Sequence, residues 1–516
     1  MIISLSVLVI TIIVSGTYAL YKAQLSKNIG VNTTTHGLAY YINYVKGTDI
    51  TAATLNPSTS YEGGASSDIE FWKKDDSYDI YGKIELTVNT IGTNLSNSPA
   101  LKYAVVNNGN VLKEGSLKGT TSGSKVTILK NLYLEQTKQI YTVYVWLDNS
   151  EELGNISNES LSISVDCTAS LQKEPTAADT IISLYTSAAK VTATNNSITY
   201  NTAPSVSLMN DRLGGTTTSL DGGNIRYYGA SPNNYIYFNC SDYSNQTSST
   251  CETWRIIGVF DGKLKLIRGS QIGTYSWDNK NTSTGAESAN GKNDWTTARL
   301  MKLLNPVDYY INDNNDKDSE GNYLGYSLYY NSTSGKCYSG QNNATVDCDF
   351  TSTGIKNDET RNMIAETTYN LGGWNTFTVY PNEIYEYERG TTVYTGRTTT
   401  PWTGKIALAY PSDYGYAADL NQCVNKQLNK YNDSTCTSNN WMKSIITNNG
   451  SNHGWLLTPH SNYSYIAWGV ILSGIMGGNR AYYSSYGAAP VLYLSSELGI
   501  ESGGDGSSSN PYKLSA

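Results

Sequence analysis

Apolar and polar residues alternate strictly at Lys83-Ile84-Glu85-Leu86-Thr87-Val88, and the same period of two recurs at Val126-Thr127-Ile128 and Leu161-Ser162-Ile163-Ser164-Val165. This period places one face of an extended chain in a core and the other in water; a helix cannot satisfy it. Tyr141 to Leu147 (YTVYVWL) lacks the alternation because it is almost wholly apolar or aromatic, which suits a central strand. Turns of Gly, Asn and Ser separate these runs and no long helical pattern interrupts them. Residues 28–170 are therefore expected to form an all-β sandwich.

The pattern changes twice downstream. Residues 171–223 are rich in Thr, Ser, Asn and Gly, with Glu174-Pro175 near their start and a short helical stretch from Ala178 to Ala189. That composition reads as a linker or stalk. From residue 224 short strands mix with short helices. Trp254 to Phe260 and Lys263 to Arg268 flank Asp261-Gly262, the strongest hairpin signal in the chain. Helices are expected from Asp294, as cap, to Leu304 and from Asp358 to Tyr369, with further strands at Lys405 to Tyr410 and Pro490 to Leu494. The expected fold is multidomain: an N-terminal apolar helix, an all-β sandwich, a linker, and an α+β domain over residues 224–516.

Residues 1–21 (MIISLSVLVITIIVSGTYALY) carry no charged side chain and as a helix would span about 30 Å, the thickness of a bilayer core. They are expected to be a transmembrane or signal segment, with Thr17-Tyr18-Ala19 offering small residues to a signal peptidase. Lys22 and Lys27 lie on the downstream side, which alone argues weakly for a cytoplasmic body; a start codon further upstream would reverse that reading. The net charge of -8, with Lys and Arg scattered, repels nucleic-acid phosphates, so no nucleic-acid partner is expected.

The cysteines argue for the exterior. Cys240 and Cys251, Cys337 and Cys348, and Cys423 and Cys436 form neighbouring couples around polar loops, and Cys167 is left over. Local disulfides are the simplest reading. Each would close a surface loop and contribute roughly 2–3 kcal/mol in an oxidising compartment, although six cysteines allow many pairings. A zinc site is the rival. It expects CxxC spacing or nearby imidazoles, and His36, His453 and His460 are not close to any couple. Cys167 is buried, free, or an intermolecular handle.

Two resemblances follow from the order of motifs. The leader ending in Gly16-Thr17-Tyr18-Ala19, followed by the alternating strands, is similar to camelysin and TasA-like envelope proteins of Gram-positive bacteria. A second covers residues 224–516. Tyr235-Ile236-Tyr237-Phe238 leading to Trp254-Arg255-Ile256-Ile257, then Asn293-Asp294-Trp295, Gly454-Trp455-Leu456-Leu457-Thr458-Pro459 and Ala489-Pro490-Val491-Leu492-Tyr493-Leu494 resemble the bacterial C-type-lectin-fold domains of the formylglycine-generating-enzyme superfamily. This resemblance implies a C-type-lectin-like domain whose final strands and loops form an exposed binding face. In the variable proteins of diversity-generating retroelements, adenine-directed mutagenesis diversifies that region.

The corresponding segment, Ser461 to Ala489, holds five Tyr, five Ser, five Gly, two Asn, one Trp and a single charge, Arg480. Tyr and Trp offer large contact area for little rotamer entropy, while Ser, Gly and Asn supply adaptable hydrogen bonds, as in a paratope. The expected ligand contacts are Asn462, Tyr463, Tyr465, Trp468, Asn479, Arg480, Tyr482, Tyr483 and Tyr486. Ile466, Val470, Ile471, Leu472 and Ile475 also fit an ordinary core strand. Trp455 to Pro459 and Pro490 to Leu494 would frame the segment. Trp468 and Met476 cannot be reached from Asn codons by changing adenines, so they would stay constant under diversification.

Catalysis is not expected. The superfamily's enzyme uses a reactive cysteine pair holding copper in its C-terminal segment, and no cysteine follows Cys436. His453 and His460 lie near Ser451 and Ser461 without a GxSxG elbow. Asp358-Glu359 and Glu383 with Glu386 fall on expected helix faces. Neither an EPN nor a QPD triplet occurs, so no calcium or other cofactor is expected. The reading is a surface-anchored or secreted ligand-binding protein, adhesin or receptor-like, of a Gram-positive-like bacterium. It would meet a protein or glycan on another cell, phage or host surface, with the membrane engaged through residues 1–21. The alternative is a structural cell-envelope or biofilm-matrix protein with a passive lectin-like head.

Overall fold

The computed structural model describes residues 23–24 and 41–515, apart from 52–54, 152, 154, 157, 213–222, 244, 279–290, 311–316, 318–320, 322–323, 339–344 and 391–400. The apolar stretch 1–21 lies outside the described residues. Among the described residues, no helix is long and apolar enough to cross a membrane. The chain divides into two compact units, Met1–Glu174 and Pro175–Ala516.

In the first unit the alternating runs are strands with one buried face. Tyr81–Ile91 buries Ile84, Leu86 and Val88 and turns Glu85 and Thr87 away from that core. It pairs antiparallel with Leu161–Ser170 on one side and Lys125–Tyr133 on the other. In the second sheet, Ile140–Asp148 lies between Ala65–Lys73 and Leu101–Asn107, the central place its apolar composition predicts. Ile69, Phe71 and Val143 from this sheet share one core with Ile84, Leu86 and Ile163 from the first. The sheets approach closely at Gly82, where a Cβ would lie 2.4 Å from the Phe71 ring. Cys167 is free and buried in this core, and burial pushes its thiol pKa well up.

The second unit is a mixed α/β body built on a nine-stranded sheet. Asp261 and Gly262 adopt the positive φ of a tight turn and join Glu252–Phe260 to Lys263–Arg268, as the Asp-Gly signal predicts. The chain's late strand Val491–Tyr493 pairs with Lys263–Arg268 and also with Ile406–Ala407. The late strand is thereby held next to the edge of the sheet, whose last strand is Ile406–Ala407. Three disulfides join Cys240 to Cys251, Cys337 to Cys348 and Cys423 to Cys436, the local couples proposed from spacing.

The stretch 171–223, expected as a linker, departs most from expectation. Its helix Ala177–Ser187 starts at a Thr176–Asp179 capping box and buries Ala177, Ala178, Ile181 and Tyr185 in the main core. Val191–Asn195, Ile198–Ala203 and Leu208–Asn210 extend the nine-stranded sheet. The inward positions of the first two include Ala193, Asn195 and Thr202, small or polar residues that hide a strand's period in the sequence.

Two helices are shorter than expected. Asp294 spends its carboxylate on the Thr296 backbone N–H and hydroxyl, making a turn, and the helix begins only at Arg299–Leu304. Asp358–Met363 stops early because the next residues pair with the late strand. Ala365 donates to the Tyr493 carbonyl, and Ser495 donates to that of Met363. Of Lys405 to Tyr410, only Ile406–Ala407 is strand; Tyr410 instead caps the helix Pro411–Tyr416.

A buried ion network ties that helix to the sheet. Asp413 accepts from Arg226 at 2.9 Å and from Lys265 at 2.5 Å, and Arg226 also meets Asp211. Burial opposes the charge of Asp413, but Lys265 and Arg226 outweigh it and hold the carboxyl below its ordinary range. Burial pushes the Lys265 ammonium down to about 8.

Candidate functional site

The segment Ser461 to Ala489 forms a hairpin with a loop at each end. Ile466–Val470 pairs with Met476–Arg480, and the first of these also pairs with His453–Pro459, a strand buried along nearly its whole length. Tyr486–Gly487 returns to the far side of His453–Pro459. Both flanks are thus buried strands, His453–Pro459 upstream and Val491–Tyr493 downstream.

Three devices shape the loop 461–465. Asn293 points its amide nitrogen at the carbonyl oxygens of His460, Tyr463 and Ile466, at 3.0, 2.8 and 2.7 Å, and its backbone N–H donates to Ser464. Ser461 donates its backbone N–H to the Trp374 carbonyl. The His460 Nδ1 accepts from the Asn462 N–H at 3.1 Å. The hairpin loop is held in the same manner, since the His453 Nδ1 accepts from the Leu472 N–H at 3.1 Å. Both imidazoles must be neutral to accept, and burial favours this, pushing His453 down and His460 down to about 4.

The expected contact residues separate into two layers. Asn462, Tyr463, Arg480 and Tyr483 are exposed, and Tyr465 and Asn479 are half-buried. Trp468, Tyr482 and Tyr486 are buried, at 1%, 7% and 3% exposure. Trp468 and Tyr486 are structural rather than presented. Trp468 stacks on His460 and donates its indole N–H to the Trp374 carbonyl. Tyr486 stacks on Trp455 at 4.2 Å and lies against His453, and its hydroxyl accepts from Asn479. The apolar run is mixed. Val470 is core, Ile466, Ile471 and Ile475 are half-buried, and Leu472 projects at the loop tip.

The exposed rings of Phe377 and Tyr463 are connected through the buried rings of Trp468 and His460. Ring centroids run Phe377 to Trp468 at 6.4 Å, Trp468 to His460 at 4.9 Å, His460 to Tyr463 at 4.9 Å and Tyr463 to Tyr465 at 5.8 Å. Tyr482 and Tyr483 stack at 5.2 Å on the other side of Arg480. The Arg480 guanidinium donates to the Tyr482 hydroxyl at 3.4 Å, and its charged form is favoured by that bond first and then by the phenol groups of Tyr482, Tyr483 and Tyr465. Phe377, 44% exposed, was not legible as a member, because it is nearly a hundred residues away and carries no local signal. Asn293 was legible only as part of a motif, not as the anchor of the loop.

Among the described residues, no group of three or more His, Cys, Asp or Glu side chains is placed to hold a metal ion. No protein-family model matches the chain. The curated proteins likewise yield no match.

Proposed function

We propose that the protein is a surface-displayed ligand-binding protein, whose second unit is a C-type-lectin-like head and whose contact surface is the tyrosine face around Arg480. An apolar leader at residues 1–21 would export or tether it. One observation carries the reading: Tyr463 and Tyr465 sit on a loop pinned by Asn293 and His460, beside Arg480 and Tyr483, whose own loop is tied down by the Ala481 N–H on the Tyr465 carbonyl and the Ser276 hydroxyl on that of buried Tyr482, so aromatic anchors are pre-arranged on a braced frame. Diversification of this segment is supported by a second point. The two residues that adenine-directed change cannot produce, Trp468 and Met476, are both buried beneath the face.

The test uses the fluorescently labelled full chain on arrays of glycans and of extracellular proteins. Tyr463→Ala with Tyr483→Ala is expected to erase the signals given by the wild type while changing stability by no more than about 0.5 kcal/mol, as for other exposed substitutions. Signals that survive the double variant unchanged would sink this reading.

A further inference from the structure

We infer that Arg480 is a carboxylate subsite, and that the partner of this face is a protein presenting an exposed Asp or Glu; this rests on the reading of the face as a contact surface. Arg480 is the only charged residue from Ser461 to Ala489. It is exposed, and among the described residues no carboxylate lies within ion-pair distance of it. The guanidinium meets the hydroxyl of Tyr482 and lies near the phenol groups of Tyr483 and Tyr465, neutral neighbours that leave its charge uncompensated. A planar fork of N–H donors beside neutral phenol groups matches a carboxylate in two parallel bonds, and its charge is unspent until an acid arrives.

The shape of the face selects a protein over a small molecule. Small ligands take concave, mostly enclosed pockets. Tyr463, Tyr483 and Phe377 instead stand out from the surface at 48%, 38% and 44% exposure, with Arg480 among the tyrosines. Protruding aromatic anchors beside an arginine are the composition of a protein–protein hot spot. The buried His460 imidazole and the Asn293 amide hold the Tyr463 loop before binding, so less ordering entropy opposes association.

The probe is a phage-displayed library of small folded domains with one randomised surface, selected on the full chain. Binders whose affinity falls with Tyr463→Ala and Tyr483→Ala are expected to carry an Asp or Glu at the contact. Replacing that acid by Asn or Gln, or Arg480 by Gln, is expected to weaken binding by about 30-fold, with little further loss when both are changed. Binders that need the tyrosines yet are indifferent to Arg480→Gln would overturn the carboxylate subsite and leave the contact face standing. If no binder depends on the tyrosines, both readings fall.

Discussion

His460 shows how one side chain can serve both the core and the surface. Its ring stacks on buried Trp468, and its Nδ1 holds the loop that presents Tyr463. Because burial pushes its pKa down to about 4 from an ordinary 6.5, the folded state stays neutral while the unfolded chain takes up a proton. The stability it contributes is complete above about pH 6.5 and is lost as pH falls toward 4, by up to about 3 kcal/mol. Denaturant titrations of wild type and His460→Phe at pH 7 and pH 4.5 should show a smaller acid loss in the variant; equal losses would remove His460 from the account. Asp413 sets the opposite case, a carboxylate enclosed by Arg226 and Lys265. Asp413→Ala leaves two buried cations short of a partner, and a loss of about 3–5 kcal/mol is expected in equilibrium unfolding. Neither role was visible in sequence, where His460 is simply a residue after a proline and Asp413 one of many acids.

At the scale of elements, strands were readable wherever apolar residues filled the buried positions, whether by alternation or as an apolar run. Tyr81–Ile91, Ile140–Asp148 and Glu252–Phe260 all lie where their patterns place them. Val191–Asn195 and Ile198–Ala203 were not readable, because their buried positions include Ala, Asn and Thr. Helix ends failed for a related reason. Met363 sits where long-range pairing competes with helical hydrogen bonds, while Asp294 closes a local turn on Thr296 instead of capping the helix. The turn at Asn293 braces the presenting loop, so Asn293→Ala is expected to cost about 1–3 kcal/mol and to raise amide hydrogen exchange at residues 462–466. Slow exchange there in the variant would show that the other contacts suffice. Replacing Cys423 and Cys436 together by Ser opens a short loop and should lower stability by about 2–3 kcal/mol, read from the urea midpoint.

The whole molecule divides between Glu174 and Pro175, close to the composition change near residue 170, but the polar stretch that follows belongs to the second unit. Helix Ala177–Ser187 starts against Leu498, with the Ala177 N–H donating to the Leu498 carbonyl, and puts Ile181 and Tyr185 into the same core as Trp254 and Leu492. A fragment of residues 175–516 is therefore expected to unfold in one cooperative transition. A fragment starting at residue 224 should lose that transition, since it exposes the core those side chains cover. Calorimetry of the two fragments decides it; a cooperative 224–516 fragment would restore the linker reading of 171–223.

Local patterning by itself established that this chain is β-rich and multidomain, where its strongest hairpin turns, which cysteines are neighbours, and that Ser461 to Ala489 concentrates tyrosine around one arginine. Those properties depend on residues close together in the chain, and periodicity or spacing reports them. Which tyrosines face outward was decided only by tertiary structure. Tyr483 is exposed and Tyr486, three residues on, is stacked on Trp455, because the position of each ring depends on strands and loops contributed from residues 271 to 493. Burial is a property of the packed neighbours, and no composition within the segment can specify it.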